Sequence, residues 1–119
     1  MPAALVVLDS HALVAYFRDE PGADLVETLL TKAASSERPL HMTEVNYAEA
    51  KYVLIRKDGP DAWQASARIL AGLPIEFHAA DRHLADFAAA LAKEQNAELV
   101  TGDPEFKALE KEIKINWLK

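Results

Sequence analysis

The sequence predicts an α/β fold, a three-layer α/β/α sandwich around a central, mostly parallel sheet of four to five strands. Short apolar runs alternate along the chain with segments of helical period. The first run, Ala3 to Leu8, is continuously apolar, which is typical of a strand buried on both faces. Because parallel neighbours need crossover connections that are usually helices, this alternation predicts helices on both sides of the sheet. The 119 residues, half of them hydrophobic, are expected to form one soluble globular domain over 1–119.

The first half of the chain contains two predicted strands and three predicted helices. Pro21 and Gly22 separate the first two helices, and Thr43 is expected to cap the third. After the first strand ends at Asp9, the predicted elements are helices over 10–17 and 23–33, a strand over 39–42, and a helix to about Lys57.

The second half continues the alternation. Gly72 suits the end of a helix, and the sequence Thr101-Gly102-Asp103-Pro104 predicts a turn. The predicted elements are helices over 61–71 and 81–95, strands over 74–78 and 98–100, a short helix ending near Glu112, and an edge strand over 113–118.

Composition excludes several classes of protein. The absence of cysteine excludes disulfide scaffolds, thiolate zinc sites, iron–sulfur clusters and cysteine nucleophiles. The four glycines do not form a dinucleotide-binding fingerprint, a P-loop or a nucleophile elbow. No apolar run approaches the roughly 20 residues that a bilayer span needs, so we expect a cytoplasmic protein with no membrane partner.

The net charge of −6 argues against a general polyanion binder, unless several carboxylates converge on divalent cations. Asp9 and Asp103 each follow a predicted strand, and Glu49 lies nearly two turns into the helix after the second strand. Ligands in such folds bind beyond the carboxyl ends of the strands, so these three carboxylates can converge at one edge. Converging carboxylates repel one another unless they are protonated, paired or bridged by metal. Oxygen ligands suit Mg²⁺ or Mn²⁺, and these ions suit phosphate chemistry.

Each of these carboxylates also has a purely structural interpretation. Asp9 and Asp103 can cap helices, and Glu49 can be an ordinary exposed glutamate. The nearby polar residues can be helix caps or can hydrogen-bond the carboxylates and their waters: Ser10, Thr43, Asn46 and Thr101. The four histidines show no metal-binding spacing and are interpreted as surface or core residues: His11, His41, His78 and His83.

Three segments resemble the PIN-domain family, specifically the toxin ribonucleases of VapBC toxin–antitoxin systems. They are VLDSHALVAYF, MTEVNYAEAKYVL and FAAALAKEQNAELVTGDPEF. In the first, Asp9 and Ser10 match the family's aspartate and its following hydroxyl. In the second, Asn46 and Glu49 match its polar helix face. In the third, LVTGDPEF supports Thr101 and Asp103 as site residues.

The resemblance implies Mg²⁺- or Mn²⁺-dependent endonucleolytic hydrolysis of RNA by a metal-activated water. It also implies inhibition by a VapB-type antitoxin and assembly into a homodimer.

The sequence departs from the family where a further acidic residue is expected. That register position is Ala85, and Asp86 is its neighbour. The family commonly has two helices between its third and fourth strands, whereas residues 79–97 have room for one good helix, so we expect one of the two to be missing.

Two hypotheses follow from this departure. In the first, the chain is a ribonuclease in which Asp9, Glu49, Asp103 and a shifted Asp86 bind metal, with Asp81 a distant substitute. In the alternative, the chain is a catalytically incomplete PIN-like module for binding or assembly.

Overall fold

A parallel five-stranded sheet forms the centre of the protein. The computed structural model describes residues 5–79, 92–93 and 97–118. The strands, in chain order, are β1 Val6–Leu8, β2 Leu40–Thr43, β3 Ile75–His78, β4 Glu98–Thr101 and β5 Lys114–Trp117. Their order across the sheet is β3-β2-β1-β4-β5, with all neighbours parallel. The predicted α/β fold with a parallel sheet is confirmed.

Four α-helices connect the strands in the first part of the chain. They are α1 Ser10–Arg18, α2 Ala23–Ser36, α3 Glu44–Asp58 and α4 Pro60–Ala71. Thr43 caps α3 as predicted, because its side-chain oxygen accepts a hydrogen bond from the Asn46 amide at 3.2 Å. Gly72 ends α4 as predicted.

The short helix expected after Asp103 is a 3₁₀ helix, Pro104–Leu109, and it ends before the predicted Glu112. Its first turn closes through a hydrogen bond from the Phe106 amide to the Asp103 carbonyl at 3.2 Å. So short a segment favours the tighter 3₁₀ winding over an α-helix. The helix predicted over 81–95 lies largely outside the described residues, as does the missing-helix prediction. Residues 92 and 93 are helical.

Each face of the sheet carries its own hydrophobic core. Leu8, Met42 and Val100 face the core that α1 to α4 complete, together with residues such as Leu13 and Leu54. Val7 and Leu99 face the opposite core, which also contains Ala92, Ala97 and Ile113. The continuous apolar run at β1 therefore reflects a strand that is buried on both sides.

The parallel arrangement places the carboxyl ends of all five strands at one edge of the sheet. α1 begins directly after β1, and α3 begins directly after β2, so both helices start at this edge. Within the part of the chain that the structure describes, none of the helices has the length and hydrophobicity needed to cross a bilayer.

Candidate active site

Asp9 is a buried carboxylate held from two sides at the end of the central strand. It is only 2% exposed. Its Oδ1 accepts a hydrogen bond from the Ala12 amide at 3.1 Å, which caps α1, and its Oδ2 accepts one from the Thr101 hydroxyl. The capping interpretation is thus correct, but it accounts for only one of the two carboxylate oxygens.

Thr101 connects Asp9 to Asp103. Its fully buried hydroxyl donates to Asp9 Oδ2 and accepts a hydrogen bond from the Asp103 amide at 3.0 Å. β1 and β4 are neighbours in the sheet, with Leu8 in register with Val100, so the residues that follow them meet. The turn Thr101-Gly102-Asp103 therefore holds the partly buried Asp103 at the same edge as Asp9.

Glu49 reaches this edge from α3. The hydroxyl of Ser10, at the start of α1, donates a hydrogen bond to Glu49 Oε1. Farther along the two helices, Arg18 Nε lies 3.0 Å from Asp58 Oδ2. The helices therefore run side by side in the same direction, with Glu49 next to the residue that follows Asp9.

Thr43 and Asn46 form a buried pair of their own. The Thr43 hydroxyl donates to Asn46 Oδ1 at 3.0 Å, and the Asn46 amide donates back to that hydroxyl at 3.2 Å. Both residues are buried, Thr43 completely. The pair fixes the start of α3, the helix that carries Glu49.

His11 is the residue of this site that the sequence interpretation set aside. Its Nδ1 lies 3.4 Å from Asp9 Oδ2. Its hydrogen bond to Asp9 raises the pKa of His11 above the usual 6.5, partial burial opposes this, and the charges of Asp9, Asp103 and Glu49 raise the pKa further. The charges of all three carboxylates therefore act on one imidazole, in keeping with their position at one edge of the sheet. The sequence contains a sign that His11 belongs to the site, because His11 stands two residues after Asp9 in the first turn of a predicted helix.

A cleft of about 320 Å³ opens beside these groups. The polar residues that line it are Ser10, His11, Glu20, Glu49 and Lys57. The cleft therefore combines carboxylates with a cationic side chain that can contact a phosphate.

The carboxylates and hydroxyls at this edge supply oxygen ligands, which fits Mg²⁺ or Mn²⁺. The three carboxylates are spread more widely than the ligands of an all-protein cage. Among the described residues, the one group of three whose ligand atoms all lie within 4.8 Å is elsewhere: His41, Glu76 and His78. Mg²⁺ keeps several waters and takes only one or two carboxylates directly, so the wider spacing is compatible with it.

The sequence interpretation of the histidines was incomplete in this respect. His41 and His78 lie together with Glu76, although their sequence spacing gives no sign of it. The predicted site residue Asp86, and Asp81, lie outside the described residues.

Comparisons with known proteins agree with this architecture. The family model of the PIN domain matches residues 6–112. Among solved structures, a chain of VapBC2 from Rickettsia felis bound to a DNA fragment from their promoter superposes with a TM-score of 0.73. The alignment covers 97% of this chain and 99% of that chain at 16% identity, so it establishes a shared fold. No curated protein matches the sequence significantly.

Proposed function

Because the chain belongs to the PIN-domain family, we propose that it is a metal-dependent endoribonuclease, the VapC-type toxin of a type II toxin–antitoxin system. The observation that carries the proposal is the set of contacts around Asp9. The buried carboxylate of Asp9, at the end of the central strand, accepts a hydrogen bond from the Thr101 hydroxyl, and the same hydroxyl accepts one from the Asp103 amide. Glu49 accepts a hydrogen bond from Ser10, the residue next to Asp9. Helix capping alone does not require these carboxylates to lie at the same edge of the sheet.

Asp9, Asp103, Glu49 and Asp86 are the residues that would hold Mg²⁺ or Mn²⁺. When bound, the ion neutralises charge on the phosphate and lowers the pKa of a water that attacks phosphorus. The proposed reaction adds water across the phosphodiester and leaves a 3′-hydroxyl and a 5′-phosphate.

The protein's own groups position the reactants. The Ala12 amide and the Thr101 hydroxyl fix both oxygens of Asp9, so this carboxylate needs little reorganisation when the cation arrives. Ser10 orients Glu49 toward the cleft. Lys57, in the same cleft, supplies a positive charge for a neighbouring phosphate of a single-stranded RNA.

The proposed partners are a VapB-type antitoxin that covers the acidic cleft and a second copy of the chain in a homodimer. The fold shared with a chain of the VapBC2 complex supports the antitoxin partner. With RNA as its substrate and an antitoxin as its partner, the proposed enzyme would act in the cytoplasm.

Cleavage of a labelled single-stranded RNA tests the proposal. We expect cutting with Mg²⁺ or Mn²⁺, none with EDTA, and a loss of at least about 100-fold in Asp9→Asn and Asp103→Asn, since each removes a charge that holds the cation. The matched control is Asp61→Asn, an exposed aspartate in the first turn of α4, which should cut like the wild type. Wild-type rates in Asp9→Asn would refute the assigned site and point to a contaminating nuclease.

The same assay separates the ribonuclease from the incomplete binding module. The alternative is favoured by Ala85 at the register position of the family's further acid. If Asp86 replaces that acid, Asp86→Ala is inactive while remaining folded. Full activity of Asp86→Ala would remove Asp86 from the site. A folded wild-type protein that binds Mn²⁺ weakly and cuts no RNA would favour the binding module.

A further inference from the structure

Three metal-ligating side chains lie together on β2 and β3. His41 Nδ1 is 2.9 Å from His78 Nε2 and 3.9 Å from Glu76 Oε2. One ligand atom from each residue can be chosen so that all three lie within 4.8 Å of one another. We call these three residues the His–Glu cluster.

The strand register brings the cluster together. His41 is in register with Glu76, and Thr43 with His78, so the three side chains project from the same face of the sheet. His41 is also in register with Val7, which places the cluster on the face of the sheet where Val7 and Leu99 lie. It is separate from Asp9, Glu49 and Asp103, none of which contributes to it.

The three residues of the His–Glu cluster differ in how far they are buried. The side chain of His41 is 9% exposed and sits on the strand next to the sheet edge, where β1 and β3 both hold the backbone. The side chain of Glu76 is 56% exposed, and His78 is partly buried. A cation can therefore reach two positioned imidazoles from solvent, with a carboxylate free to adjust.

The distances suit a small transition-metal ion. Zinc–nitrogen bonds of about 2.0–2.1 Å in a tetrahedral site separate neighbouring ligand atoms by about 3.3 Å. The observed 2.9 Å and 3.9 Å lie on either side of that value, so small side-chain rotations suffice. The 2.9 Å contact is a hydrogen bond between the two imidazoles.

We propose that His41, Glu76 and His78 form a second metal site that takes a first-row transition cation of the zinc class. Imidazole favours Zn²⁺, Cu²⁺ or Ni²⁺, whereas the carboxylates around Asp9 favour Mg²⁺ or Mn²⁺. Three protein ligands leave the fourth position open to water or to another ligand. Bound there, the ion links the edge strand β3 to β2.

The test is Zn²⁺ titration by calorimetry on the untagged chain after treatment with EDTA. We expect one strong site per chain. His78→Gln and Glu76→Gln should each weaken its affinity at least about 100-fold, because loss of even a ligand's hydrogen-bond partner typically costs 10–100-fold. Both residues are less buried than His41, and circular dichroism is used to check that the two variants fold.

The controls match each substitution chemically. His11→Gln removes a histidine, and Glu44→Gln removes an exposed glutamate, and neither should change Zn²⁺ affinity. Asp9→Asn should also retain the site. Binding of Co²⁺ provides a second measurement. A four-coordinate Co²⁺ ion with imidazole ligands absorbs visible light strongly, and both cluster variants should lose this absorption. Absence of Zn²⁺ binding by the folded protein, unchanged affinity in both cluster variants, or loss of the site in Asp9→Asn would each overturn the proposal.

Discussion

The hydroxyl of Thr101 is hydrogen-bonded to two acidic residues of the candidate site, Asp9 and Asp103. It donates to the buried Asp9 carboxylate and accepts from the Asp103 amide, and it has no exposed surface. In a buried setting, a donor or acceptor left without a partner costs more free energy than an ordinary hydrogen bond contributes. The hydroxyl therefore supports both the stability of the sheet edge and the geometry of the candidate site.

Replacing that hydroxyl by a methyl group should destabilise the protein. Thr101→Val keeps the shape but removes the donor to Asp9 Oδ2 and the acceptor for the Asp103 amide, so we expect the free energy of unfolding to fall by about 1–3 kcal/mol at pH 7. Urea denaturation measures this change in the free energy of unfolding. Thr101→Ser retains the hydroxyl and should lose only about 1 kcal/mol for the missing methyl.

Thr28 provides the matched control. Its exposed hydroxyl donates to the Asp24 carbonyl within α2, so Thr28→Val should change stability by no more than about 0.5 kcal/mol. Equal stability of Thr101→Val and Thr28→Val would mean that the hydroxyl of Thr101 does not hold Asp9.

At the scale of elements, the end of β5 supports the turn that carries Asp103. Leu118, just after β5, donates its amide to the Thr101 carbonyl at 2.9 Å. Its side chain lies against Gly102 and Gly22, the residue before α2. One side chain therefore packs the site turn against the start of a helix.

Gly22 is required there for two reasons. Its φ of +100° suits glycine, and a Cβ would lie 2.7 Å from Leu118 Cδ2 and 2.8 Å from Leu118 Cβ. Gly22→Ala should therefore lower stability by about 1–2 kcal/mol for the left-handed backbone, and overpacking should add about 1–3 kcal/mol.

A double-mutant cycle with Leu118→Gly isolates the packing contribution. Leu118→Gly removes the contacting side chain, so Gly22→Ala should cost only the backbone part in that background. The same cost in both backgrounds would show that Leu118 does not limit the space at Gly22.

The elements differ in how far local sequence determines them. Asp9 and Thr43 were predictable as helix caps, because their oxygens act within three residues. The segment after Asp103 was predicted as a helix, but so short a turn takes 3₁₀ winding. The His–Glu cluster could not be predicted, because its residues meet only through the pairing of β2 with β3. Likewise, the charges of Glu49 and Asp103 that act on His11 come from distant segments of the chain, whereas its contact with Asp9 is local.

At the scale of the whole molecule, stability is centred on β1. This strand pairs with β2 on one side and β4 on the other, and its residues Val7 and Leu8 enter opposite cores. Both residues are fully buried. β3, by contrast, is an edge strand whose Phe77 is 39% exposed.

Native-state hydrogen exchange should reflect this difference. We expect the slowest amides in β1 and β4, exchanging only through global unfolding, and faster exchange in β3 and β5 through local opening. Addition of Zn²⁺ should slow exchange in β3 if the His–Glu cluster binds it. Equal protection of β3 and β1 in the metal-free protein would contradict this distribution of stability.

The central position of β1 also has a consequence for how the protein is made. A ribosome releases the strand carrying Asp9 early, but its partner Thr101 follows 92 positions later. Pairing between such distant segments is slow, because the intervening chain must be ordered first. During synthesis, Asp9 and Glu49 therefore emerge without Thr101 and Asp103, and the acidic site cannot assemble. The docking of β4 beside β1 is the step that completes the contacts around Asp9.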